Sequence, residues 1–261
     1  MLGLILFKKY GAFMTTKAYH AFSTKLEYFS DDIDLIDVLK TNVKVGNLND
    51  ENNIFKEVKS RHMSLARRQN TSKSRELVIN HLKQTVYSAY VKDIYEEVTH
   101  YLREILRNAA ESGFESGRLI GEHSLKIDAQ NILSQGNWES IVELITNSVF
   151  QTLENERSTK KLLESMNKKL NLNVDMNIIK ETIPYLEVRH FLVHSDGKIP
   201  IDFKTNNPFI QTNRKGYIIL DYDFIKTFTS KVKTLIKEFD NNILSTQLLK
   251  DKFLTKSSYK N

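Results

Sequence analysis

The sequence predicts a mainly helical protein, a helical bundle with one small β-hairpin near residues 199–220. Three observations carry that expectation. Nine glycines and three prolines punctuate 261 residues, too few for a sandwich or barrel that turns about every ten residues. Long stretches repeat apolar side chains at three- and four-residue intervals, the period of a helix with one buried face. Hydrophobic residues make up 40% of the chain and aromatics 10%, enough apolar surface for a core.

The elements follow in chain order. Residues 1–7 are apolar and precede Lys8 and Lys9. That stretch is too short to span a bilayer, and its charge lies on the wrong side for a signal peptide. Residues 1–13 read either as a tail or as sequence upstream of a start at Met14. A short helix is expected over 31–39, capped by Ser30 and presenting Ile33, Ile36 and Leu39. Residues 41–53, rich in Asn, Asp and Gly, read as a loop, and 54–66 as a basic helix.

The strongest helix covers about 74–110, with Val78, Leu82, Val86, Tyr90, Ile94, Val98, Tyr101 and Ile105 in register. At 1.5 Å per residue it spans roughly 55 Å, long enough that a kink or break stays open. Gly113, Gly117 and Gly121 end it. Their spacing mimics a phosphate loop, but no strand precedes them and no Lys-Ser or Lys-Thr follows. Asn137 caps a helix over 138–153, with Trp138, Ile141, Leu144, Ile145, Val149 and Leu153 on its inner face. A short helix over 158–170 comes next. Asp175 caps another over 176–194, closed by Asp196-Gly197, in which Pro184 predicts a kink or a late start. Residues 217–220 form the one convincing strand. Asp221 or Asp223 caps the last helix, to about Leu244, and the chain frays after Lys250. The expected organisation is an N-terminal helical extension (1–72), a bundle (73–250) and a polar tail (251–261).

The chain's net charge of +6 is concentrated in one place. Residues 56–75 hold Lys56, Lys59, Arg61, Arg67, Arg68, Lys73 and Arg75 against the single acid Glu57, so the rest of the chain is neutral. Such a row can lie along an RNA backbone, or it can be a solvated connection between helices. Arg61, Arg67, Arg68, Lys73, Arg75 and the later Lys198 are the candidate RNA contacts, Arg67 and Arg68 foremost. Tyr87, Tyr90, Tyr95 and Tyr101 can stack on bases, but their spacing fits a core or interface better, and Trp138 also reads as core. Zero cysteines exclude disulfides, Cys-ligated zinc, iron–sulfur clusters and a thiol nucleophile. With no run near 18 apolar residues, the expectation is a soluble cytoplasmic protein without membrane contact.

Histidine is then the side chain best suited to carry chemistry. Glu187, Arg189, His190 and His194 cluster at the end of one helix. Glu187, His190 and His194 fall within about 60° on a helical wheel, and the long Arg189 side chain can swing toward them. This set fits two chemistries. Two imidazoles and a guanidinium can cleave RNA without a metal: one imidazole takes the 2′-hydroxyl proton, the other protonates the leaving oxygen, and the guanidinium holds the phosphorane. Alternatively Glu187, His190 and His194 can ligate a metal, with Glu97-x-x-His100 the nearest matching spacing elsewhere. A surface role at a helix end is the plain third option.

Arg189-x4-His194 late in an amphipathic helix, followed by Ser-Asp-Gly, resembles the signature of the HEPN superfamily. The resemblance covers about residues 74–245, and His190 stands where Asn is commoner. It implies a helical-bundle ribonuclease of toxin–antitoxin or anti-phage defence systems, working as a homodimer with the motifs of both chains facing one cleft. RNA is then the substrate, and an antitoxin or other neutralising protein a possible partner. The resemblance assigns His194 as general base or acid, Arg189 to the phosphorane, and His190 to phosphate orientation or shared proton transfer. Glu187 either fixes an imidazole tautomer or is a surface carboxylate. No cofactor or metal is required. The alternative within the same family is a non-catalytic RNA- or nucleotide-binding or regulatory module.

Overall fold

The computed structural model describes residues 14–44, 71–115, 117–118, 127–155 and 158–256. The fold is mainly helical. In chain order the elements are β1 (Met14–Thr16), α1 (Lys17–Lys44), α2 (Ser72–Glu111), α3 (Ala129–Leu133), α4 (Trp138–Glu154), α5 (Thr159–Lys169), α6 (Met176–His194), α7 (Ile201–Asn206), α8 (Tyr222–Ser245), a 3-10 turn (Asp251–Phe253) and β2 (Leu254–Lys256). Among the described residues, no helix is long and apolar enough to cross a membrane.

The 40-residue α2 is the axis of the bundle, about 60 Å long and unbroken. It starts where the Thr71 hydroxyl oxygen accepts the Ser74 N–H at 3.2 Å. It ends at Gly113, whose φ of +90° turns the chain so that the Phe114 N–H closes on the Ala109 carbonyl. Tyr87, Val91, Ile94, Val98, Tyr101, Leu102 and Ile105 form its fully buried stripe.

Helix α1 runs antiparallel along α2. Phe22 meets Tyr101 at 6.4 Å and Phe29 meets Tyr90 at 6.5 Å between ring centroids. The helix is much longer than the expected 31–39. Its true start is set by Thr16, whose hydroxyl oxygen accepts the Tyr19 N–H at 3.0 Å. Phe22, Leu26, Ile33 and Ile36 belong to the same hydrophobic core as the rest of the bundle, so the expected boundary at residue 72 divides no core. The expected basic helix over 54–66 lies outside the described residues, as do Arg61, Arg67 and Arg68.

Four helix starts fall where the sequence places them. Asn137, Ser158, Asp175 and Asp221 each accept a backbone N–H from the first turn of α4, α5, α6 and α8. The face of α4 differs from expectation. Trp138 is 66% exposed, and the core takes Val142, Thr146, Val149, Phe150 and Leu153. Helix α4 carries two overlapping apolar stripes that share Val149 and Leu153, and periodicity cannot rank them. Helix α6 runs continuously through Pro184, without the late start.

Residues 198–220 hold a minimal ladder in place of full strands. Lys198 bridges Tyr217, and Thr212 bridges Ile218, both antiparallel, while the short α7 occupies the intervening chain. The two-stranded sheet lies elsewhere: β1 pairs antiparallel with β2, Thr15 opposite Thr255. The chain therefore does not fray at Lys250. The Lys250 N–H donates to the Ser112 hydroxyl oxygen at 3.0 Å, and its ammonium to the Glu111 carbonyl at 2.8 Å, tying this end to the C-terminus of α2.

A buried acid locks β1 in place. Asp240 of α8, 2% exposed, accepts the Thr16 hydroxyl at 2.6 Å, the Thr16 N–H at 3.3 Å and the Tyr101 hydroxyl at 3.4 Å. Desolvation pushes its carboxyl up to about 6, against the pull of those three donors. Burial first, and then the Asp240 charge, pushes the Tyr101 hydroxyl well above its ordinary range, so it stays a donor at neutral pH.

Candidate functional site

The last two turns of α6 carry the motif, and the turn behind them is tightly built. The Ser195 and Gly197 N–H groups both donate to the Phe191 carbonyl, at 3.0 and 2.9 Å. Asp196 and Gly197 take φ of +51° and +82°. A side chain at 197 would be strained by that conformation and would touch Leu192 at 3.4 Å. The Phe191 ring packs on Phe203 of α7, centroids 4.7 Å apart, which holds this helix end against the 198–220 ladder.

His190 and His194 are both exposed, with ring centroids 4.6 Å apart and planes tilted by 47°. The His190 ring also meets Phe191 edge-on at 5.6 Å. Helical spacing and one aromatic neighbour thus bring two imidazoles together at the surface. Glu187, one turn earlier, is half-buried, and desolvation raises its carboxyl above the usual range. No described hydrogen bond links it to either imidazole.

Arg189 reaches across to α2. Its Nη2 donates to Glu96 Oε1 at 2.8 Å, and its guanidinium carbon lies 4.9 Å from the centre of the Tyr95 ring. Its Nε–H is buried and has no hydrogen-bond partner among the described residues. Tyr95 is in turn 3.4 Å from the Thr159 hydroxyl at the start of α5. Glu96 and the supporting role of Tyr95 are what sequence reasoning missed. Glu96 and Arg189 are 93 residues apart, and no local pattern joins them.

The candidate RNA contacts separate. Lys198 is exposed just past the turn, next to the motif. Lys73 is exposed at the start of α2. It precedes Glu96 by 23 residues on one continuous helix, which puts it about 35 Å from the motif along the axis. Arg75 is 7% exposed, which corrects its reading as an open surface contact. Of the tyrosines, Tyr87, Tyr90 and Tyr101 are buried, which answers the question of core or stacking for all three. Among the described residues, no three His, Asp or Glu side chains converge as a metal site, so Glu187, His190 and His194 do not make a three-ligand centre.

In comparisons with known proteins, no family model, no curated protein and no solved structure matches the chain. The functional reading therefore rests on the chemistry of the α6 end alone.

Proposed function

We propose that this chain is a metal-independent endoribonuclease of the HEPN type, with its active site at the C-terminal end of α6. The observation that carries the reading is the exposed His190–His194 pair, 4.6 Å apart, on the same two turns as Arg189. Histidine has an unperturbed pKa near 6.5, so one imidazole of such a pair can take a proton while the other gives one. His194 or His190 removes the proton from a ribose 2′-hydroxyl. The oxygen attacks the adjacent phosphorus, the 5′-oxygen leaves with a proton from the other imidazole, and a 2′,3′-cyclic phosphate remains. Arg189 neutralises the phosphorane, and Lys198 steers the RNA backbone. The reading includes a homodimer in which two α6 ends line one cleft, and a defence role with a neutralising partner.

The Arg189–Glu96 pair favours a second reading, a non-catalytic binding or regulatory module. A guanidinium already matched to a carboxylate and an aromatic ring can be a tie between α2 and α6. The two readings diverge in a cleavage assay. The ribonuclease reading expects RNA cutting that persists in EDTA and leaves 2′,3′-cyclic phosphate ends, whereas the module binds RNA without turnover.

If Arg189 contacts substrate, Glu96 competes with phosphate for it. The pair is partly exposed, 29% at Arg189 and 59% at Glu96, and such pairs are worth about 0–1 kcal/mol. Glu96→Gln is therefore expected to lower KM for RNA by up to about fivefold and to keep kcat, because Tyr95 still supports the guanidinium. Steady-state kinetics on one oligonucleotide check this. A raised KM would mean that Glu96 positions Arg189 instead of competing for it.

A further inference from the structure

We infer that His190 and His194 form a two-imidazole binding site for a borderline divalent transition-metal cation, of which Zn²⁺ is the test case. The site stands on the geometry of the pair and does not require the ribonuclease reading. Two histidines four apart on a helix point the same way, and here both are exposed, with ring centroids 4.6 Å apart. A cation about 2.1 Å from one nitrogen of each ring, at a near-tetrahedral angle, places the ring centroids about 5 Å apart. The observed rings reach that arrangement by a shift of less than about 1 Å, which rotamer adjustment of two exposed side chains supplies. The His190 ring is already braced edge-on by Phe191. A helix that is capped at Asp175 and closed at Gly197 holds the two backbones in register, so little order has to be created on binding.

The donor set selects the cation. Imidazole nitrogen suits zinc and copper and is a poor match for magnesium or calcium, which take oxygen ligands. Only two protein ligands converge, because no third His, Asp or Glu joins them among the described residues. Water completes the coordination, so the ion exchanges freely and acts as a regulatory ligand. It occupies the lone pairs that proton transfer would use, so under the ribonuclease reading a bound Zn²⁺ blocks cleavage.

Calorimetric titration of ZnCl₂ into the full chain tests the site without reference to activity. The expected result is binding of one Zn²⁺ per chain, undisturbed by millimolar Mg²⁺. His190→Ala and His194→Ala each weaken it at least tenfold, whereas His81→Ala, an exposed histidine on α2, leaves it unchanged. Both substitutions fall on exposed positions, and an unchanged circular dichroism spectrum separates site loss from unfolding. The inference is overturned if Zn²⁺ does not bind, or if binding survives both His190→Ala and His194→Ala.

Discussion

His194→Ala is expected to slow RNA cleavage by about 10²- to 10⁴-fold, the range for removing one positioned acid–base group. Two features make the result interpretable. His194 is exposed at the last position of α6, so its loss creates no cavity and should change stability by less than about 0.5 kcal/mol. His190 remains 4.6 Å away, able to serve one proton transfer but not both at once. The residual activity should therefore yield the same 2′,3′-cyclic ends at a lower rate. Arg189→Ala should produce a loss of similar size, because the phosphorane then lacks its guanidinium. Unlike the histidine change, it also removes a tie to α2 at Glu96 and Tyr95, so its melting temperature must be compared with that of Glu96→Gln.

The second large effect is a pH-dependent stability centred on Asp240. Its carboxyl moves from an ordinary 3.8 to about 6 in the folded chain, chiefly through desolvation. A raised folded value means that the group favours folding when protonated. Its contribution is fully present below about pH 4 and is lost as the pH rises through about 6. The gap between the two values corresponds to about 3 kcal/mol at most. Asp240→Asn removes this titration while keeping an oxygen for the Thr16 hydroxyl. The stability of the wild-type chain relative to Asp240→Asn is thus expected to fall by about 2–3 kcal/mol between pH 4 and pH 7. Urea unfolding of both proteins across that range measures it, and a difference independent of pH would remove the assignment. The hydrogen bonds from Thr16 favour the ionised carboxyl, so the lost stability comes from burial of the charge, and an opening of β1 that admits water to Asp240 is expected first. Hydrogen exchange at Thr16 and Tyr19 reports that local step.

How much of this was legible beforehand follows from the range of each interaction. The starts of α4, α5, α6 and α8 were readable because a cap is a contact within three residues. The extent of α2 was readable because its apolar stripe repeats over 28 residues, from Val78 to Ile105. The start of α1 was not, since Thr16 depends on β1, on β2 and on Asp240, 224 residues away. The C-terminal strand was hidden for the same reason: residues 254–256 are strand only by virtue of residues 14–16. At the site, the His190–His194 geometry came directly from helical spacing. The clamp on Arg189 did not, because it joins two helices at a separation no sequence pattern records. The charge arithmetic pointed to a basic segment without locating it. Its described end lies about 35 Å along α2 from the motif, whereas Lys198 is exposed and follows His194 directly after the turn.

One measurement bears most directly on the central claim. Purified chain is incubated in EDTA with an all-ribose oligonucleotide and with the same sequence carrying 2′-deoxyribose throughout. Wild type and His194→Ala are compared, and the product ends are identified by mass. The expected result is cleavage of the ribose strand alone, with 2′,3′-cyclic phosphate ends, at a rate at least 100-fold lower for His194→Ala. Cleavage of the deoxyribose strand, or equal rates for the two proteins, would contradict it.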